Sequence, residues 1–216
     1  MSRAHTPRAR LRVLGVDPGL TRCGVGVVDG PASRPRLAAV DVVRTDREEP
    51  TAVRLAALHA ALCEAIRVHA PDAIACERVL FSANARTAMG VGQAAGVALL
   101  AAAQAGVPVA SYSPNDVKLA VAGHGAADKG AVARMVAAQL HLADPPTPAD
   151  AADALAVALC HLAHLRVDAG AATTTGASDR LAAARAEAEA AGRGGWEAVL
   201  QRSHVRVSDP GREAGR

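Results

Sequence analysis

The fold is decided by Leu11-Arg-Val-Leu-Gly-Val-Asp-Pro-Gly-Leu-Thr-Arg-Cys-Gly-Val-Gly-Val-Val28. An apolar run ends in Asp17, Pro18-Gly19 turns the chain, and a second apolar run returns through Cys23–Val28. This is the pattern of a strand, a loop and a returning strand. A strand that is apolar almost throughout is buried on both faces, which places it in the centre of a sheet covered by helices. Asp17 then stands at the carboxyl end of a central strand, where open α/β sheets carry their chemistry. Taken alone, Asp-Pro-Gly is only a turn. It gains weight from three more carboxylates further along the chain.

Working outward, Leu37–Thr45 reads as a third strand. Thr51 is expected to cap a helix to about His69, with Val53, Leu55, Leu58, Leu62 and Ile66 on its apolar face. Ala73–Glu77 is a short buried strand that again ends in an acid. A loop, Arg78–Asn84, leads to a long Ala/Gly-rich helix ending near Ala105, with Gly106 as its C-cap. Val107–Ser111 is a fifth strand. Helices follow from Ser113-Pro114 to Val121, over Ala126–His141 and over Pro148–Leu165. Three strands, then helix–strand–helix–strand, then helices, imply a mixed five-stranded α/β sheet flanked by helices. The expected organisation is a basic arm (1–10), one domain (11–167) and a disordered tail (168–216) with no sustained apolar pattern.

Half of the 216 residues are apolar, enough for a sizeable core, while Phe81, Tyr112 and Trp196 are the only aromatics. Residues 1–12 carry four arginines and no acid. Residues 13–167 hold 13 bases against 14 acids, so cations bound to several acids would leave a positive surface compatible with a polyanion. Cys23, Cys63, Cys76 and Cys160 are scattered without C-x-x-C spacing, which argues against zinc or a disulfide framework and for reduced thiols in the cytoplasm. The basic start lacks the apolar core of a secretory signal. Ala88–Ala110 is uncharged, but it includes Gln93, Gln104, Pro108 and four glycines; it reads as a buried helix and a strand rather than a membrane span.

Glu77 alone is an acid at a strand end, and Asp150, in Thr147-Pro-Ala-Asp150, is equally well a helix-capping residue. Asp153 lies one turn further in, among apolar residues, and shares a helix face with Asp150. Two carboxylates about 4 Å apart repel by about 4 kcal/mol at an effective dielectric near 20. Asp17, Glu77, Asp150 and Asp153 therefore converge only with protonation or a divalent cation. An all-carboxylate donor set suits Mg²⁺ or Mn²⁺. Two such ions can activate a water and stabilise a leaving oxygen in phosphoryl chemistry.

These residues carry a resemblance. Gly15-Val-Asp-Pro-Gly-Leu-Thr-Arg-Cys-Gly24, Cys76-Glu-Arg-Val79, Gly92-Gln-Ala-Ala-Gly96, Val117-Lys118, Gly123-His-Gly-Ala-Ala-Asp-Lys129 and Pro148-Ala-Asp-Ala-Ala-Asp-Ala-Leu155 resemble, in order, the motifs of the RuvC family of bacterial Holliday-junction resolvases. The resemblance covers about Leu11 to Leu165. It implies a ribonuclease-H-like fold, a homodimer, four-way junction DNA as substrate and a RuvA–RuvB branch-migration complex as partner. It implies that Asp17, Glu77, Asp150 and Asp153 are metal-binding catalytic acids, using Mg²⁺ or Mn²⁺. The products would be paired, symmetric nicks with 5′-phosphate and 3′-hydroxyl ends.

Lys118 and Lys129, the only two lysines, resemble the family's phosphate-contacting residues. The family's junction-wedging aromatic corresponds to Leu80, whereas the aromatic here is Phe81. Arg78, Asn84 and Arg86 are further candidates for DNA contact. Gly92 and Gly96 fit either internal helix packing or the family's two-fold interface.

Three other readings compete. One is a ribonuclease-H-like nuclease acting on RNA, and another is a non-catalytic junction-binding protein. The third is an actin-like ATPase or sugar kinase, suggested by Asp17-x-Gly-x-Thr21. That last class needs a second lobe and a second phosphate loop, and the chain has room for neither.

Overall fold

A computed structural model describes residues 11–78 and 85–171, without the side chains of 85–87 and 166–171. The proposed arm and most of the proposed tail lie outside the described residues, as do Phe81, Asn84 and the Arg86 side chain.

The strands are β1 (Leu11–Asp17), β2 (Arg22–Gly30), β3 (Arg36–Arg44), β4 (Ala73–Glu77) and β5 (Val109–Tyr112). The helices are α1 (Thr51–His69), α2 (Ala85–Ala105), α3 (Pro114–Ala122), α4 (Lys129–Leu140) and α5 (Ala149–Ala171). The sheet order is β3-β2-β1-β4-β5, with β1 in the middle as its apolar sequence requires. β1 pairs antiparallel with β2 and parallel with β4, so the sheet is mixed.

Each face of β1 belongs to a different core. Leu14 and Val16 pack with Leu58, Leu62 and Ile66 of α1 and with Ala94, Ala98, Ala101 and Ala102 of α2. Val13 packs on the opposite face with α3, α4 and α5. Where α5 crosses β1 and β2 on that second face, the strands present glycines. A Cβ on Gly15 would abut the Ala154 carbonyl and stand 2.8 Å from the Ala158 nitrogen. A Cβ on Gly24 would abut the Asp150 carbonyl, and one on Gly26 would come within 2.8 Å of the Leu155 side chain. Glycine at these places lets α5 lie directly on β1 and β2.

Several sequence expectations shift. Pro50, not Thr51, occupies the N-cap of α1, and it has no side-chain cap bond. Thr51 is the first helical residue, because the Pro50 carbonyl already accepts from Val53 and Arg54. Val53 is 51% exposed, while Leu58, Leu62 and Ile66 form the buried stripe. α4 begins at Lys129 and not Ala126, since the Asp128 carboxylate caps it by accepting from the Ala131 N–H. β5 begins at Val109, and α5 continues past Leu165 to Ala171.

The long Ala/Gly-rich helix is not buried all round. Within Ala88–Ala105, the one described segment long and apolar enough to cross a membrane by length and composition, 22% of the residues are buried. Met89, Leu99 and Leu100 are exposed, and a Cβ on Gly92 or Gly96 would meet nothing within 4 Å. Internal packing does not account for those glycines.

Gly15→Ala should destabilise the protein by about 1–3 kcal/mol, because the obstacle is helix backbone, not a movable side chain. Urea unfolding of Gly15→Ala against the wild type measures this; an unchanged midpoint would show that α5 yields to the added methyl.

Candidate active site

Residues alternate across a strand, so Asp17 faces the same way as Gly15, and Glu77 the same way as Ala75. Val16 pairs with Cys76, which makes Asp17 and Glu77 neighbours at the ends of adjacent parallel strands. Both therefore point to the face on which α5 lies. The first turns of α5 bring Asp150 and Asp153 over them, because Gly15 and Gly24 admit the helix so closely.

Asp17, Glu77 and Asp153 interact directly. Burial pushes the Asp17 carboxyl from 3.8 up to about 8, with the charges of Glu77 and Asp153 adding to the rise. Burial also raises Glu77, opposed by a hydrogen bond from Asp17. The two carboxyls are in hydrogen-bond contact, and burial with mutual repulsion makes the pair hold a proton more tightly than free carboxyls do. Asp153 accepts from Lys129 Nζ at 2.9 Å, which raises the lysine pKa. Asp150 is ion-paired with Arg22 Nη2 and lies inside the first turn of α5, not at its cap.

The structure brings Asp17, Glu77 and Asp153 together and sets Asp150 to one side, towards β2. These acids are near neighbours, but among the described residues no group of three His, Cys, Asp or Glu side chains is spaced to hold a metal ion. Charge compensation takes the form of a shared proton and two basic partners. The donor set still suits a divalent cation: it is all oxygen, and two buried carboxylates in contact cannot both ionise without one.

Lys118 and Lys129 line a cleft with Glu77, Asp153, Pro114 and Val117. α3 positions Lys118; its Ser113–Asp116 capping box fixes the helix start, with Asp116 N–H donating to Ser113 Oγ at 3.2 Å. Arg78 is exposed, donates its Nη2 to the Ser111 carbonyl and bonds through its backbone N–H to Tyr112. Sequence reasoning missed Arg22, although its place at the head of the strand antiparallel to β1 was a usable signal. It also missed the Tyr112 hydroxyl, which is 2.7 Å from His161 Nδ1 and ties β5 to α5.

A central mixed sheet of this order, with acids at the end of β1 and β4 and on a crossing helix, is the ribonuclease-H-like arrangement. The family model for "Crossover junction endodeoxyribonuclease RuvC" matches residues 13–161. A protein of that name from Salinispora arenicola is 54% identical over 153 residues, 70% of this chain and 87% of its own length. Another, from Streptomyces coelicolor, is 51% identical over 153 residues, 70% of this chain and 81% of its own. The solved structure of Thermus thermophilus RuvC in complex with a Holliday junction substrate superposes with a TM-score of 0.70 at 43% identity, covering 73% of this chain and 96% of that one. The yeast mitochondrial Holliday junction resolvase Ydc2 shares the fold, with a TM-score of 0.52 at 16% identity over 71% of this chain and 79% of its own. The chain belongs to the RuvC family of crossover junction endodeoxyribonucleases, which are metal-dependent hydrolases.

The raised Asp17 pKa has a consequence for stability. The folded state holds that proton more tightly than the unfolded state, so stability falls as pH rises from about 4 to about 8. Asp17→Asn removes this loss. In metal-free buffer its Tm should exceed that of the wild type by about 2–8 °C near pH 8 and by less near pH 5. Thermal melts across pH check this; a difference that does not change with pH would contradict the buried charge as its source.

Proposed function

We propose that this protein is a structure-selective endonuclease that resolves Holliday junctions in DNA recombination and repair. The observation that carries the reading is the cluster of Asp17, Glu77 and Asp153, with Asp150 beside it, at the carboxyl end of the sheet in a chain of the RuvC family. A relative at 43% identity has been solved with a Holliday junction substrate, which supports a four-way DNA junction as the ligand here.

The four acids are the catalytic and metal-binding residues, and Mg²⁺ or Mn²⁺, two ions per site, would supply an activated water and offset charge on the leaving oxygen. The chain's own residues do the rest. Asp17 yields its shared proton when the acids ionise together. Lys129, whose side chain is mostly exposed, is free to swing from Asp153 to a phosphate; Lys118 offers a second ammonium across the cleft. A lysine acts there as a point charge that positions the backbone without reading sequence. Arg78, Asn84, Arg86 and Phe81, or Leu80 in its place, contact DNA around the junction centre. The catalytic unit is residues 11–167, and a cytoplasmic location follows from the substrate.

Hydrolysis then gives two symmetric nicks with 5′-phosphate and 3′-hydroxyl ends. Two nicks require two sites, so the protein acts as a homodimer. The exposed face of α2, with Met89, Gly92, Gly96, Leu99 and Leu100, is the surface for the second copy. A RuvA–RuvB complex is the expected partner for branch migration.

Asp153→Asn should abolish paired nicking of a synthetic four-way junction in Mg²⁺ while junction binding persists; gel assays against a matched linear duplex measure both. Retained cleavage would remove Asp153 from the mechanism. Gly96→Arg should convert a dimer to monomer by light scattering without unfolding the chain. An unchanged mass would move the interface elsewhere.

A further inference from the structure

Lys118 and Lys129 stand on the β4–β5 side of the acids. The opposite side carries a second basic pair. Arg22 opens β2 and Arg44 closes β3, and they are direct partners in the antiparallel register. Residues paired in this way project from the same face, with Cβ atoms about 5 Å apart. That face is the catalytic one. Gly24, two residues along from Arg22, lies against the α5 backbone at Asp150, and Arg22 itself is ion-paired with Asp150.

Like charges directly opposite one another across a sheet are unfavourable without an anion. Nη2 is the Arg22 nitrogen nearest Asp150, and the Arg22 side chain remains 45% exposed. A guanidinium has five N–H donors, so most of its donors stay available. Arg44 is exposed and has no ion pair or side-chain hydrogen bond among the described residues. The acids of the next loop do not neutralise it. Asp46 turns its carboxylate to the Glu48 N–H at 3.0 Å, and Glu48 and Glu49 are exposed.

We infer that Arg22 and Arg44 form a phosphate-binding subsite for the nucleic-acid backbone, on the far side of the acids from Lys118 and Lys129. The inference rests on the junction-cleaving function proposed above and adds a second bank of contacts to it. The lysines reach the acids from α3 and α4 and the arginines from β2 and β3, so the two banks would hold different phosphates of a strand laid across the acids. Planar guanidinium groups suit this role, since each grips phosphate oxygens in a fixed, bidentate geometry.

The test is the salt dependence of junction binding. A synthetic four-way junction is titrated with the full chain in EDTA, at salt from about 50 to 200 mM. Each lost phosphate contact should lower the slope of log K against log salt by about 0.9. Arg44→Gln is expected to show that drop with an unchanged Tm, Arg44→Lys to keep most of the slope, and the Arg22→Gln/Arg44→Gln pair to lose about twice as much. The loss should be equal for junctions of different arm sequence, because phosphates carry no sequence information. Arg67→Gln, at the far end of α1 and already paired with Glu64, should leave the slope alone. A wild-type slope in Arg44→Gln and in the double variant would overturn the subsite and leave the junction reading standing. A drop of the same size in Arg67→Gln would also overturn it, by showing only a general charge effect. If the wild type fails to bind the junction, the functional reading falls and the subsite falls with it.

Discussion

Everything at this site depends on how closely α5 approaches the sheet. A helix normally stands off a sheet by the depth of two side chains. Here Gly15, Gly24 and Gly26 withdraw the sheet's contribution, and Ala151, Ala154 and Ala158 reduce the helix's. The first turn of α5 thereby reaches the ends of β1 and β2. Add one methyl group at Gly15, and the helix has to move as a body, taking Asp150 and Asp153 with it.

Close packing creates an electrostatic problem that the site answers locally. Burial and proximity make the carboxylates unfavourable neighbours, and three arrangements relieve them: a proton shared by Asp17 and Glu77, Lys129 on Asp153, and Arg22 on Asp150. All three are exchangeable. A proton can leave, and the two basic side chains are long and substantially exposed. Such a site holds its acids together without committing them. At Asp17 the fold disfavours the charged carboxyl, so its ionisation costs stability.

The strands and the acids were legible because their signals are local. An apolar run that ends in a carboxylate is visible at Val16-Asp17 and again at Cys76-Glu77, and the ends of β1 and β4 fall at those residues. The start of α1 was misread because Thr51 is a good capping residue by type, while Pro50 already holds the extended backbone a cap needs. The long Ala/Gly-rich helix was misread as buried because composition reports apolarity without reporting a neighbour. Alanine and glycine on α2 leave a face that is apolar and exposed.

The sequence by itself determined the order of strands and helices, the central place of β1 and the identity of the four acids as candidates. These follow from periodicity, turn residues and charge, which act over a few positions. Only the tertiary structure decided which acids touch, that Asp150 stands apart on Arg22, and that Arg22 and Arg44 face the site together. Those facts depend on register and on the distance between a helix and a sheet. Register is set by pairing between segments far apart in the chain, and no local pattern at Arg22 or Arg44 records it.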